Sequence, residues 1–321
     1  MTLLYQTRSI FRNVVVGVAV ILASVVLTTP AAAEKYASIV VDAGSGTVLH
    51  ARHADADRHP ASLTKVMTLY MLFDEIEAGR IDLDDRMAVS RKAAKQPPSN
   101  VRLKRGQTIS VDDAIHALVT KSANDVAVVI AEHIAGTEDR FSALMTVKAR
   151  VLGMENTVFM NASGLHHPNQ VTTARDMAKL AAAVMEDHPA FYAYFSTSEF
   201  KYGRRTYTNH NKLLGSVDGV DGIKTGYTRA SGYNLMAAAK RDDERVITIM
   251  LGGHSALSRN GHVSDLIEAA FQALQPEMAP TAPTMQTVSF DTITDPVHPN
   301  AAAIPMLNGK PFIVAEGDES G

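Results

Sequence analysis

The sequence predicts an α+β domain in which one antiparallel sheet, assembled from both chain ends, is covered by helices, with an all-helical subregion between. Three observations carry this reading. Two β-rich stretches, "KYASIVVD" and "TVLHA", follow an apolar leader. Helical patterns then run from residue 61 to about 185. Three more β-rich stretches come next, "DGIKTGYT", "GYNLMAAAKR" and "RVITIMLGG", with one last helical pattern behind them. Strands at both ends with helices between them fold most simply into a single covered sheet.

Taken in order, Lys35–Asp42 and Thr47–Ala51 read as strands, and "AGSG" between them supplies a hairpin turn. Ala61 to about Ala78 reads as a helix opened by Pro60 and ended near Gly79. Its residues Val66, Leu69, Tyr70, Phe73 and Ile76 recur at helical spacing, so it is buried. Val111–Val119 and Val126–Ile134 are two apolar helices flanking "TKSAND", and Phe141–Leu152 and Arg175–Met185 continue the block. "RDDE" (Arg241–Glu244) is a hairpin turn between the last two strands, and a final helix runs from about Asn260 to Leu274. No internal repeat is visible.

The two ends differ from the domain at 34–275. Residues 1–33 have the layout of a secretory signal peptide: Arg8 and Arg12, the apolar run Val14–Leu27, then Pro30 and an A-x-A-like site at Ala31–Ala33. The run is short for a membrane span, and the alternative is an uncleaved anchor. Residues 276–321 carry prolines at 276, 280, 283, 296, 299, 305 and 311 and read as mostly disordered, or as a remnant β-module around Val288–Ile293. The chain has no cysteine, so an exported form relies on its core rather than on disulfides, and no lipid-modified cysteine tethers it. A net charge of −3 and the lack of a Lys/Arg cluster argue against a nucleic-acid partner. There is no H-E-x-x-H, and His166-His167 reads as a loop pair, so no metal or other cofactor is expected.

Three short motifs carry chemistry. Ser62 and Lys65 stand at i and i+3, on one helix face. A buried lysine can lose its proton near neutral pH, and a neutral amine beside a hydroxyl is a nucleophile–base pair. Alone, the two are also compatible with a helix-start serine and a snorkelling lysine. Ser122-Ala123-Asn124 needs a loop if both polar side chains are to share a cleft; its ordinary reading is that Asn124 or Asp125 caps the helix starting at Val126. Lys224-Thr225-Gly226 on a strand offers a fixed cation, a hydroxyl and a glycine beside which another backbone can lie close. Ser62–Lys65, Ser122–Asn124 and Lys224–Gly226 stand in the order in which penicillin-binding proteins and class A β-lactamases carry S-x-x-K, a serine motif and K-T-G.

With these motifs, "DADRHPASLTKVMT", "KSANDVAVVIAEHIAG", "FSALMTVKARVLGMENTVFMNASGL", "TTARDMAKL", "VDGIKTGYTRASGYNLMAAA" and "VITIMLGG" make residues 34–275 resemble the D-alanyl-D-alanine carboxypeptidases among the low-molecular-mass penicillin-binding proteins. The resemblance implies the serine β-lactamase/transpeptidase fold. It makes Ser62 the acylated nucleophile, Lys65 its general base, Ser122 a proton relay, and Asn124 a holder of the substrate amide. Lys224 and Thr225 would bind the substrate on a strand. The backbone N–H groups of Ser62 and Tyr227, just past Gly226, would form the oxyanion hole, and Arg259 would take the peptide's terminal carboxylate. The implied substrate is a peptidoglycan stem peptide ending in D-Ala-D-Ala, with β-lactams as inhibitors and no cofactor. The chain departs from some members at Ser163, where they carry a histidine. Its tail is too short for their second domain, and "AEGDESG" is no membrane anchor, which suggests a soluble periplasmic enzyme. A class A β-lactamase would need a glutamate in an E-x-x-L-N loop; none lies between Asn124 and Lys224, and Glu155 and Glu186 have the wrong neighbours. Transpeptidase or endopeptidase activity shares the same acyl-enzyme.

Overall fold

The computed structural model describes residues 35–274 and two short strands in the tail. Its elements begin with β1 (Ala37–Asp42), β2 (Val48–Arg52) and α1 (Thr64–Glu77). The helical middle comprises β3 (Arg86–Ala88), α2 (Arg91–Ala94), β4 (Thr108–Ser110), α3 (Val111–His116), α4 (Asn124–Ala135), α5 (Glu138–Val151), α6 (Ala174–Asp187) and α7 (Pro189–Tyr192). Then come β5 (Glu199–Tyr202), β6 (Arg205–Thr208), β7 (Val220–Thr228), β8 (Gly232–Arg241), β9 (Glu244–Gly253) and α8 (Ala256–Leu274). The tail strands are β10 (Met306–Leu307) and β11 (Lys310–Pro311), which pair antiparallel.

The expected sheet is present, antiparallel throughout, in the order β2-β1-β9-β8-β7. β1 joins the C-terminal strands in register from Ala37 opposite Leu251 to Asp42 opposite Val246. Successive side chains on a strand point to opposite faces. Met236, Ala238, Ile247, Ile249 and Leu251 accordingly enter the larger core, shared with α1, α4 and α6. Leu235, Ala237, Ala239, Val246 and Met250 enter a second core beneath α8, against Val263, Leu266, Ile267 and Phe271. A sheet buried on both faces explains why "VITIML" is apolar without alternation. Each of the Leu, Ile, Val, Met and Phe side chains among these contributes about 1.5–3 kcal/mol on burial.

Three local features differ from the sequence reading. The hairpins β3–β4 and β5–β6 were not foreseen, because strands of three and four residues are too short to show a period. The helix expected over Val111–Val119 stops at His116; Ala117–Lys121 wind as a π-turn that delivers Ser122 in the left-handed region, at φ 57°. The last helix begins at Ala256, so Arg259 lies inside its first turn. The hairpin turn at "RDDE" is observed, with Arg241 opposite Glu244 and Asp242 at φ 50°. The leader and the alternation at Val288–Ile293 lie outside the described residues.

Candidate active site

The nucleophile candidate is reached through a strained lead-in. Ala61 to Leu63 form a 3₁₀ turn ahead of α1, with Ala61 at φ 49°, a conformation costing a residue with a side chain roughly 1–3 kcal/mol. Two glycines allow it. Gly164, at φ 80°, lies so close that a Cβ there would stand 1.8 Å from Ala61 O. Gly226 of β7 lies on another side, where a Cβ would stand 3.0 Å from Ser62 N and 3.2 Å from Pro60 O. The backbone N–H of Ser62 is thereby pressed against the K-T-G strand, and its half-buried side chain opens into the cleft.

Lys65, in the first turn of α1, is fully buried. Its Nζ lies 2.8 Å from Asn124 Oδ1, 2.5 Å from Ser163 O and 3.2 Å from Ser62 Oγ. Burial, then the nearby Lys224 cation, hold its pKa well below that of an ordinary lysine, with Asp125 opposing. A neutral amine has two N–H groups and one lone pair. Asn124 and Ser163 accept the two hydrogens, so the lone pair is left for the Ser62 hydroxyl. That is the geometry of a general base.

The other motif residues surround this pair. Ser122 is buried, and its Oγ has no hydrogen-bond partner. Asn124 donates from Nδ2 to Pro97 O at 2.9 Å, and its backbone N–H donates to Ser99 O at 2.7 Å. The capping reading does not hold: Ala123 is the cap position, and Asp125 instead accepts from the backbone N–H of Val101 and Leu103. Lys224 is buried and donates to Thr225 O at 3.1 Å; burial and then Arg259 lower its pKa to about 7. Thr225 to Thr228, on the edge strand of the sheet, line the cleft in succession.

Arg259 reaches the same cleft from the first turn of α8. A guanidinium has five N–H groups. In Arg259, Nε and Nη2 donate to Asn260 Oδ1 at 3.0 and 2.7 Å, and Nη1 donates to Asn234 O at 3.1 Å. One hydrogen remains on each terminal nitrogen, a fork matched to a carboxylate. Burial lowers its pKa to about 10, which leaves it charged at neutral pH. The cleft encloses about 520 Å³, and among the described residues none that lines it carries a carboxylate. The arrangement can activate a hydroxyl and hold an anion.

The family profile of the D-alanyl-D-alanine carboxypeptidases, peptidase S11, matches residues 25–255. The chain belongs to this family. D-alanyl-D-alanine carboxypeptidase DacC of Escherichia coli is 35% identical over 83% of the chain, which spans 64% of that relative's length. Penicillin binding protein 5 of Haemophilus influenzae superposes with a TM-score of 0.71 at 32% identity, over 76% of this chain and 72% of that one. Penicillin-binding protein D2 of Listeria monocytogenes, in its cefotaxime-bound form, superposes at 0.67 and 31% identity, over 73% of this chain and 96% of the other. The fold is that of the penicillin-binding proteins.

Several residues of this S11 peptidase site were not foreseen. Asn234, fully buried on β8, donates from Nδ2 to His59 O and Pro60 O at 3.0 and 3.1 Å and accepts from Gly252 N–H at 2.9 Å. With its own carbonyl on Arg259, it ties the nucleophile's approach to the cation. Ser163 offers its backbone carbonyl to Lys65, while its hydroxyl turns back to Asn161 Oδ1 at 3.2 Å. His210 and Lys212 line the cleft from the turn before β7. No sequence signal marked Asn234, because its partners are backbone atoms far away in the chain.

Proposed function

We propose that the chain is a serine-type D,D-carboxypeptidase that removes the terminal D-alanine from peptidoglycan stem peptides ending in D-Ala-D-Ala, and that β-lactams acylate the same serine. The observation that carries this is Lys65, buried, with its two N–H groups accepted by Asn124 and Ser163 and its lone pair left for Ser62. In this reading Lys65 takes the Ser62 proton as Oγ attacks the penultimate carbonyl. The N–H groups of Ser62 and Tyr227, on either side of the Gly226 contact, stabilise the oxyanion. Arg259, with Thr225 and Lys224, holds the terminal carboxylate. The unpartnered hydroxyl of Ser122 passes the proton on to the departing amine. Water then hydrolyses the ester on Ser62. The names of the relatives support the peptide reading, and the cefotaxime-bound neighbour supports the β-lactam one.

The leader supports export to the periplasm, and among the described residues no helix is long and apolar enough to cross a membrane. The test is incubation of the protein with a D-Ala-D-Ala-terminated peptide and measurement of free D-alanine. Release by the wild type and none by Ser62→Ala is expected. Release by both would move the nucleophile elsewhere.

A further inference from the structure

A basic loop reaches one wall of the cleft. The hairpin of β3 and β4 carries it. Its neck is closed where Val89 N–H donates to Gln107 O at 2.9 Å and Gly106 N–H donates to Val89 O at 3.0 Å. From Arg86 to Ser110 the sequence has seven cations and no carboxylate, in a chain whose net charge is −3. No cluster stands out in the sequence, because the seven are spread over 25 positions; the fold gathers them on one loop. The far end of the loop is fixed to the site. Asn124 donates to Pro97 O at 2.9 Å and to Ser99 O at 2.7 Å, and Ser99 Oγ donates to Lys121 O at 2.7 Å. Pro98 and Ser99 line the cleft. Lys95 and Arg102 each stand three residues from that lining, so their Cα atoms lie within roughly 11 Å of it.

The way the loop is held turns its cations outward. Asp125, buried, accepts from Val101 N–H at 3.2 Å and from Leu103 N–H at 3.0 Å. Val101 and Leu103 are buried, which leaves Arg102 between them and Lys104 after them exposed. Two of the seven cations are already engaged. Arg86 donates to the Thr108 hydroxyl and carbonyl, both at 3.1 Å, and Lys92 pairs with Glu138 at 2.9 Å and Asp139 at 3.4 Å. Arg91, Lys95, Arg102, Lys104 and Arg105 are exposed, and no described carboxylate lies within ion-pair distance of them. None of the large apolar side chains exposed among the described residues belongs to this segment. Binding in a bilayer interface draws on buried apolar area as well as charge. A surface with charge and no apolar anchor fits a hydrated polyanion better.

We propose that this loop is a second binding surface, outside the cleft, for the anionic wall polymer to which the substrate belongs. Stem peptides repeat carboxylates along that polymer. One stem end occupies the cleft while carboxylates of neighbouring stems meet Lys95, Arg102, Lys104 and Arg105. The choice of polymer rests on the D,D-carboxypeptidase reading; the surface itself does not. Two linked contacts raise the effective concentration of further stem ends at Ser62, so the polymer is a better substrate than a short peptide with the same end. Screening limits exposed charges to about 8–10 Å at ordinary ionic strength, so a short peptide confined to the cleft gains little from the loop.

The experiment uses the full protein and its charge-reversed variant Lys95→Glu, Arg102→Glu, Lys104→Glu, both folded by circular dichroism. The neutralised variant Lys95→Gln, Lys104→Gln is a milder second choice with the same expected direction. Co-sedimentation with purified insoluble peptidoglycan measures binding, and vesicles containing phosphatidylglycerol are the lipid comparison. Wild-type retention on the polymer should fall from about 50 to about 300 mM salt, and the charge-reversed variant should bind roughly tenfold more weakly at the lower salt. D-alanine release from a short acetylated peptide ending in D-Ala-D-Ala should be equal for both proteins within about twofold, whereas release from the polymer should drop roughly tenfold in the variant. Equal retention of both proteins overturns the proposal, as does retention indifferent to salt or tighter binding to the vesicles than to the polymer. Failure of the wild type to cleave the short peptide overturns the peptidase reading alone, and retention on the polymer still decides for or against the surface.

Discussion

Arg259→Ala separates the anchoring of a peptide from the acylation of the serine. The substitution removes the two free hydrogens of the guanidinium and its charge, while Lys224 and Thr225 stay in place. Losing one partner of a desolvated charge pair costs about 2–5 kcal/mol. In kcat/KM for a D-Ala-D-Ala peptide this is a fall of roughly 30-fold to several-thousand-fold. A β-lactam also has a carboxylate, but Lys224 and Thr225 can hold that one, so its acylation rate should fall by roughly tenfold at most. The two rate constants, measured by D-alanine release and by fluorescent penicillin labelling on the same preparation, give the ratio that matters. A second readout is independent of substrate affinity. Arg259 helps to lower the Lys224 pKa, so without it Lys224 stays protonated to higher pH, and any pH limb belonging to Lys224 shifts upward from about 7. A fold effect is also expected, because Asn234 O loses a donor, about 1 kcal/mol, visible as a modest drop in Tm. Equal losses for peptide and β-lactam, or none for the peptide, refute Arg259 as the carboxylate anchor.

Three other outcomes follow from the same geometry. Penicillin should inhibit rather than serve as a substrate, because among the described residues none in the cleft lining offers a carboxylate to activate water; mass spectrometry should find an adduct lasting minutes or longer, and rapid burst-free hydrolysis would contradict this. Gly164→Ala should abolish acylation or prevent folding, since its Cβ would overlap Ala61 O at 1.8 Å and φ is 80°; a stable, fully active variant would remove the glycine from its supporting role. His188 is buried, which alone would lower its pKa, but the nearby Asp74 carboxylate and a hydrogen bond to Glu77 raise it overall. A raised folded-state pKa contributes stability that is complete below the unfolded value near 6.5 and lost as pH rises through the folded value. The urea midpoint of the wild type should therefore lose this contribution above pH about 6.5, and His188→Gln should flatten that part of the slope.

What the sequence made legible was chemistry held at short range. Ser62 and Lys65 share one helical turn, and Lys224 to Gly226 share one strand, so spacing alone places their side chains. The sheet was legible because its strands are long and its hairpin turns are marked by Gly46 and Asp242. Residues whose role depends on a distant carbonyl were not. Asn234 meets His59 O across 175 positions, and nothing in "GYNLM" says which backbone it will find. Asn209 and Asn211 left no signal in the sequence, because their partners are backbone carbonyls of other segments. The π-turn before Ser122 escaped for a related reason: an apolar helical pattern continues unbroken through Val119 while the hydrogen bonding changes beneath it.

β1 lies between β2 and β9, so the sheet cannot close until the chain is nearly finished. Ala37 waits for Leu251, and Asp42 for Val246. At the usual 5–20 residues per second of synthesis, that interval lasts roughly 10–40 s, during which one edge of β1 has no partner. Loop closure over such a length costs only slightly more than over half of it, so the delay is kinetic rather than a matter of final stability. The helical middle, rich in local contacts, can form early, whereas the sheet is a late event with high contact order. A chain cut short before residue 246 would keep Ser62 and Lys65 on their helix but lack the strand that completes the sheet beneath them. Such a fragment would hold the nucleophile and its base without a cleft to use them in.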